Sequence, residues 1–511
     1  MTPLARELLL CAHIAAALGT ASHALLHKRD PRAAWGWIAV CWLFPFAGAA
    51  LYYLLGVNRV ETKALRVFGR ELPSEPLASP DAPPRIAGTD PVEVRELVRL
   101  GWAMSARRLA GGNRIEPLHN GDQAYPAMLR AIAAAKKTVH LSSYIYRGDA
   151  AGKRFAEALR QARERGVEVR VLLDGLGDFS YRPRGSRLLR KQGLKPALFL
   201  PLRIWPPMLH ANLRNHRKLL VVDGRIAFTG GMNIQQGHVP GADGLPKIID
   251  LHFRVEGPLA MQMDAVFLAD WSFASGKEAP EVRECGDGSP SGRSSLTPPS
   301  ASADGPPLSR DAVEGHWTVA GGHRLVSPGD HLSRVITEGP NEDLERLVMV
   351  LIGALATAHE RVWIMTPYFL PPAPLASALQ SAALRGVDVS IIIPARSDQP
   401  WMKWAAQHSL HHLLERQVRV YLRPPPFAHT KLILVDDWYV QFGSANLDTR
   451  SLRLNFELMV ESYGKALARQ LAQHFTQVRD GSQAVTVEQL ERRRFPARFR
   501  DALCWLFSPY L

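Results

Sequence analysis

Two stretches of this chain carry the same dense polar spacing, and the segments ahead of them repeat as well, so whatever the chain folds into must be built twice. The first copy is His216-Arg217-Lys218, Asp223 and Gly230-Gly231-Met232-Asn233, and the second is His429-Thr430-Lys431, Asp436 and Gly443-Ser444-Ala445-Asn446. Upstream, 127–137 followed by Thr138-Val139-His140-Leu141-Ser142-Ser143-Tyr144 matches 351–360 followed by Arg361-Val362-Trp363-Ile364-Met365-Thr366-Pro367-Tyr368. Likewise 165–173 matches 385–393. Each half reads helix, strand, helix, strand, the alternation of an α/β sheet layered by helices. Duplication is the economical explanation, and two lobes of nearly equal length are expected.

Around each motif the local reading is the same. His216 and Lys218 stand two residues apart, as do His429 and Lys431, so on an extended strand each pair faces one side. The apolar runs 219–222 and 432–435 read as buried strands. Asp223-Gly224 and Asp436-Asp437 read as turns into second short strands, 225–229 and 438–442. Gly230-Gly231 and Gly443-Ser444 suit a close backbone approach to phosphate. A neutral imidazole can attack phosphorus, lysine and asparagine can hold phosphate oxygens, and a second histidine can move protons, all without metal. One such motif would pass as a strand, a turn and an ordinary surface histidine; a pair does not.

The doubled pattern resembles the signature of the phospholipase D superfamily. That resemblance implies two lobes packed about a pseudo-twofold axis, with both motifs facing one cleft and His216 beside His429. It implies a catalytic set of His216, Lys218, Asp223, His429, Lys431 and Asp436, with Asn233, Asn446, Ser444 and Gly231 binding the substrate phosphate, and neither metal nor cofactor. The implied mechanism is ping-pong through a phosphohistidine, with His216 as nucleophile and His429 as acid and base; the reverse order stays open. Each catalytic imidazole needs a carboxylate on its other nitrogen. Glu457 and Asp250, downstream of the two asparagines, are the candidates, with Asp243 and Glu256 close competitors of Asp250. Asp223 and Asp436, at tight turns, suit hydrogen bonds to backbone amides or to the facing lobe.

The chain opens on two apolar stretches, 8–26 without charge and 33–57 without charge, each long enough as a helix to cross about 30 Å of hydrocarbon. The link 27–32 is short enough only for a hairpin. A cleaved signal peptide would account for the first stretch and leave the second unexplained. Arg6 before the pair and Arg59, Lys63, Arg66 and Arg70 after it, against Lys28, Arg29 and Arg32 in the link, favour termini in the cytoplasm and a cytosolic catalytic body. A bacterial cytoplasmic membrane, crossed more than once, is the expected location. The net charge of +14 favours anionic partners. Cys11, Cys41, Cys285 and Cys504 show no metal or disulfide spacing.

The expected domains are a transmembrane hairpin 1–57, a linker 58–95, a first lobe 96–285, a Ser, Pro and Gly-rich linker 286–316, a second lobe 317–480 and an amphipathic tail 481–511. His408, His411, His412 and Glu415 mimic metal ligands at helical spacing but read as a helix face with a polar edge. Trp401 and Trp404 read as core or membrane-contact residues.

Three features resemble the bacterial cardiolipin synthases in particular. They are the hairpin around Pro31-Arg32-Ala33-Ala34-Trp35-Gly36-Trp37 and Pro45-Phe46-Ala47-Gly48, the block Gly230 to Asn233 with Asp250-Leu251-His252 and Arg254-Val255-Glu256-Gly257-Pro258, and the ending Cys504-Trp505-Leu506-Phe507-Ser508-Pro509-Tyr510-Leu511. The activity so implied joins two phosphatidylglycerol molecules into cardiolipin with release of glycerol. An anionic phospholipid and a membrane are the expected partners, and nucleic acid is not. A phospholipase D-type lipid hydrolase, or a membrane-tethered nuclease, would use the same residues. The basic, aromatic tail fits a lipid interface or a helix packed on the second lobe.

Overall fold

The computed structural model describes residues 2–28, 31–56, 91–201, 213–241, 244, 246–277, 316–319, 323–326, 329–339 and 345–508. The linker 286–316 up to its last residue, most of the linker 58–95 with Arg59, Lys63, Arg66 and Arg70, Asp243, and Pro509, Tyr510 and Leu511 lie outside the described residues. The chain divides into an N-terminal unit and a larger body.

In the N-terminal unit, Thr2 caps the helix Pro3–His27, and Pro3 occupies a first-turn position whose amide would have no partner anyway. Among the described residues it is the one helix long and apolar enough to cross a membrane. The second stretch departs from the single helix expected over 33–57. It runs as Pro31–Leu43, breaks, and resumes as Ala47–Leu51 and a π-helical turn Tyr52–Gly56. The break falls at Pro45, which has no amide to donate and whose ring would clash with the preceding turn, and Phe46 follows at φ 58°. The two segments still pack together: Ala24, Cys41 and Tyr52 form a small buried cluster, and His23 Nδ1 lies 2.7 Å from the Tyr52 hydroxyl.

The body is built on one fifteen-stranded sheet. From one edge its strands are Ala197–Phe199, Glu168–Asp174, Thr138–Ser143, Leu219–Val222, Ile226–Gly230, Leu251–Glu256 and Ala110–His119. From the other they are Gln483–Ala484, then Arg419–Arg423, Asp388–Pro394, Arg361–Met365, Leu432–Val435, Tyr439–Gly443, Glu457–Tyr463 and His331–Glu338. Apart from Gln483–Ala484 the order reads the same inward from both edges, the arrangement that duplication followed by twofold association would generate. Ala110–His119 and His331–Glu338 pair antiparallel at the centre and make the halves one sheet.

Within each half, the outer strands are parallel and connected by helices, and the motif strand enters antiparallel with its hairpin partner. Leu219–Val222 and Leu432–Val435 are buried along their whole length, as apolar runs between helical layers should be. Each half keeps its own apolar core, one around Phe155, Leu159 and Leu220, the other around Leu351, Leu379 and Ile433. Across the seam, the Phe253 and Phe442 rings stack with centroids 3.8 Å apart. The tail forms Val487–Glu491, started by a Thr486/Gln489 capping box, and Phe495–Leu506, which packs on the helix Pro400–Leu414 of the second half.

Candidate active site

Each motif histidine stands just ahead of its buried strand and is pinned there by the opposite lobe. The His216 amide donates to the Phe456 carbonyl at 2.9 Å, and the Phe456 amide to the Arg214 carbonyl at 2.8 Å. The His429 amide donates to the Ile249 carbonyl at 2.8 Å, where Phe427–Ala428 pairs parallel with Ile248–Ile249. Neither histidine could hold this position in a lobe standing alone.

The carboxylates cross in the same way. His216 Nδ1 lies 2.9 Å and 3.0 Å from the Glu457 oxygens, and His429 Nδ1 lies 3.0 Å from Asp250 Oδ2. Both carboxylate side chains are wholly buried, while the His216 and His429 side chains keep 11% and 12% exposure, so the acids sit behind the rings and the rings face the cleft. Since a carboxylate accepts, Nδ1 of each ring donates and Nε2 is left with its lone pair toward the cleft. Asp250 is the partner of His429; Glu256 instead pairs with Arg254, and Asp243 lies outside the described residues.

The two dyads differ behind the rings. Glu457 also accepts from Ser444 Oγ at 2.5 Å, Ser451 Oγ at 2.6 Å and Asn455 Nδ2 at 3.2 Å. Burial alone would raise its pKa, but His216, Lys218 and the Ser444 hydroxyl overcome that and hold it down at about 2. Among the described residues Asp250 accepts one further hydrogen bond, from the Leu251 amide at 2.8 Å. Burial raises its pKa against the pull of Lys431, His238 and His252.

Two residues expected to bind phosphate have other duties. The Ser444 hydroxyl is fully buried and committed to Glu457 on one side and the Leu458 amide, at 3.0 Å, on the other. It holds the carboxylate, and its one proton, given to Glu457, is not left to donate to a substrate phosphate. At Gly231 a Cβ would sit 2.4 Å from Asp250 Oδ2 and 2.7 Å from the His429 carbonyl, and the Gly231 carbonyl accepts from His429 Nδ1 at 3.1 Å. Glycine is required there to admit the shorter acid, so serine at the matching position of one lobe and glycine in the other follow from glutamate against aspartate.

Asp223 and Asp436 also lie apart from the cluster. Each ends a four-residue strand, about 13 Å long, that begins just after the motif lysine. Asp223 accepts from the amides of Lys136, Lys137 and Thr138 at 3.0, 2.7 and 2.8 Å. Asp436 does the same for Glu360 and Arg361 at 2.8 and 2.9 Å, and for His359. Both are in the left-handed region, φ 53° and 49°, which aspartate tolerates better than most residues. They are clasps within their own lobes rather than members of the catalytic cluster expected from the motif.

Lys218 and Lys431 are buried at 2% and 3% exposure, and each donates from Nζ to the carbonyl of its own motif histidine at 2.6 Å. Burial, against Glu457 and with repulsion from Lys431, pushes Lys218 well down; burial brings Lys431 to about 8. Burial likewise drops His216 to about 4 and His429 well below the usual imidazole value, the lysines adding repulsion in both. Lys431 Nζ stands 3.0 Å from both ring nitrogens of His429. Two neutral imidazoles beside two buried lysines whose charged forms are disfavoured form a site that a phosphodiester anion would relieve.

The Asn233 side-chain oxygen accepts from the Ile145 amide at 3.0 Å, which leaves its side-chain N–H groups to donate. Asn446 is buried beside Ser451, whose Oγ accepts from its backbone amide at 3.1 Å. Sequence reasoning missed Ser451, Asn455 and Tyr144. The Tyr144 ring meets His216 edge-on at 5.2 Å and lies 5.6 Å from the Lys218 ammonium. The repeat of Tyr144 with Tyr368 was the available signal. His411, His412 and Glu415 bring ligand atoms within 4.8 Å of one another on an exposed helix end, as residues three and four apart do.

A crossed pair of His-Lys motifs on a duplicated α/β sheet defines the phospholipase D-like class of phosphodiester enzymes. The sequence profile described as "Cardiolipin synthase, PLD-like domain" matches residues 128–271 and 351–479, and "Phospholipase_D-nuclease N-terminal" matches 15–56. The chain belongs to the phospholipase D superfamily, in its cardiolipin synthase family. It is 29% identical to the major cardiolipin synthase ClsA of Bacillus subtilis over 95% of both chains. It is 26% identical to a cardiolipin synthase of Clostridium perfringens over 95% of this chain and 96% of that one. A phosphatidylserine synthase of Haemophilus influenzae shares the fold, with TM-score 0.57 and 17% identity over 78% of this chain and 95% of that one.

Proposed function

We propose that the protein is a cardiolipin synthase that transfers a phosphatidyl group from one phosphatidylglycerol to another, through a phosphohistidine on His216. The observation that carries the order of events is the unequal pair of acids. A phosphorylated imidazole is electron-poor and is best stabilised by a carboxylate that stays anionic, and Glu457 is the acid so held.

In the first half-reaction His216 Nε2 attacks phosphorus and the bond to the glycerol oxygen breaks. The departing oxygen takes its proton from His429 Nε2. The substrate phosphate, by its charge, offsets Lys218 and Lys431 and raises His429 so that it carries that proton. In the second half, the hydroxyl of the other phosphatidylglycerol gives its proton back to His429 Nε2 and attacks phosphorus. The P–N bond breaks and His216 is regenerated. Lys218, Lys431, Asn233 and Asn446 hold the phosphoryl oxygens whose charge grows in each transition state.

The long N-terminal apolar helix and an amphiphilic substrate support residence in a bacterial cytoplasmic membrane. We place both N-terminal segments within it and the body on the cytosolic side, in line with the charges flanking the segments. Purified protein in phosphatidylglycerol vesicles should yield cardiolipin and free glycerol in equal amounts by mass spectrometry. Phosphatidic acid in place of cardiolipin would mark a hydrolase, and cleavage of an oligonucleotide a nuclease.

A further inference from the structure

The helix Phe495–Leu506 has one face against the body and one that no described residue covers. Its inner side carries Ala497, Asp501 and Cys504. Asp501 is the only acid from Arg492 to Ser508, and it is buried and taken up by Arg493 and Arg500. The Arg500 guanidinium also lies over the Trp404 ring at 4.2 Å, and Trp505 meets His408 at 5.0 Å. These contacts fix which way the helix turns.

On the outer side Phe495, Phe499, Leu503 and Leu506 recur with helical period, exposed by 77, 61, 48 and 65%. Phe507 continues the patch, and Trp401, on the neighbouring helix, is also exposed. A stripe of this kind on a soluble protein is the one that normally faces the core. Its rim is mainly cationic: Arg492, Arg494 and Arg498 are exposed, and the exposed acid next to them in sequence, Glu491, lies 3.3 Å from His411 Nε2.

We propose that this face is an interfacial anchor that seats the body on an anionic bilayer, with the phenylalanines and leucines among the upper acyl carbons and the arginines on lipid phosphates. A second copy of the chain does not fit as well, since face-to-face docking would oppose arginine to arginine. An anionic lipid surface meets both the apolar stripe and the cationic rim. The inference rests on the lipid-transferase reading only for where the bilayer comes from.

The test uses the full chain in proteoliposomes of phosphatidylcholine with phosphatidylglycerol, carrying a photoreactive benzophenone side chain in place of Phe499. Illumination should give lipid adducts well above those from the same group in place of the exposed Gln477. Adducts to a second protein chain, or yields equal to those at Gln477, would overturn the proposal. In parallel, Phe499→Glu with Leu503→Glu should lower turnover of vesicle phosphatidylglycerol about tenfold while leaving turnover of a monomeric short-chain phosphatidylglycerol unchanged. Unchanged vesicle turnover, or equal loss on both substrates, would count against it. If neither substrate yields cardiolipin in the unaltered protein, the transferase reading fails while the crosslink still reports on the anchor.

Discussion

The His216 and His429 dyads are built from equivalent strands and opposite lobes, yet they differ in what stands behind the ring. Glu457 is gripped by Ser444, Ser451 and Asn455 and is held anionic. Asp250 is shorter, sits against Gly231, and is raised rather than lowered by its surroundings. A duplicated scaffold thus supplies two histidines with one geometry and two electrostatic characters. The two proposed half-reactions ask for that, because in them one ring carries a phosphoryl group and the other a proton that comes and goes.

The largest expected effects come from the histidines themselves. His216→Ala should lose on the order of 10^4-fold or more in turnover, as removing a covalent nucleophile does. His429→Ala, given a donor whose leaving group needs no proton, should accumulate a phosphatidyl adduct on the peptide containing His216. Digestion at neutral or alkaline pH preserves it for mass spectrometry. An adduct on His429 in the unaltered enzyme would reverse the comparison.

Next come the lysines, which the two dyads share. Lys218→Met or Lys431→Met should each cost about two to three orders of magnitude in kcat, the scale for losing a preorganised charge at phosphorus. Near-normal turnover of either well-folded variant would contradict a single cleft.

Exchanging the residues behind the acids tests the asymmetry more finely. Ser444→Gly removes one hydrogen bond from Glu457 and should cost about tenfold in kcat. Gly231→Ser pushes a Cβ into Asp250 and the His429 carbonyl and should cost more than Ser444→Gly. Equal losses in the two variants, measured on the same vesicle substrate, would mean that the dyads are equivalent after all.

The smallest effect is on stability against pH. His216, His238 and His252 are each pushed by burial to about 4. The unfolded chain binds protons near the ordinary imidazole value, which the folded body refuses. The part of the stability that these histidines contribute is therefore complete above about pH 6.5 and falls as pH drops toward 4. Glu457, with its pKa depressed, adds stability that is complete above about 4.5 and decays toward 2. Thermal unfolding in detergent should show the midpoint falling below pH 6.5, and His238→Gln should flatten that fall. An unchanged slope would mean that His238 is protonated in the folded protein.

Much of this was legible in the residues. The alternation around 138–144 and 361–368, the apolar runs at 219–222 and 432–435 and the turns at Asp223 and Asp436 are local patterns, set by the periods of strands and by which residues tolerate a left-handed backbone. The long first helix followed from a run of uncharged residues. The break near Pro45 was also written locally, but apolar composition outweighed the missing amide in the reading. The tail's outer stripe was visible as amphipathic spacing; which side would be covered was not.

The sequence by itself determined a doubled α/β sheet, the two histidines and lysines, and two acids able to serve them. Only the tertiary structure decided that the acids serve across the lobes, His216 with Glu457 and His429 with Asp250, that Ser444 and Gly231 attend the carboxylates rather than the phosphate, and that Asp223 and Asp436 stay at the far ends of their strands. His216 and Glu457 lie 241 residues apart, and no local periodicity constrains so distant a pair. Their meeting depends on the antiparallel pairing of Ala110–His119 with His331–Glu338 and on backbone bonds such as His216 to Phe456, contacts that form only when two complete lobes close one sheet.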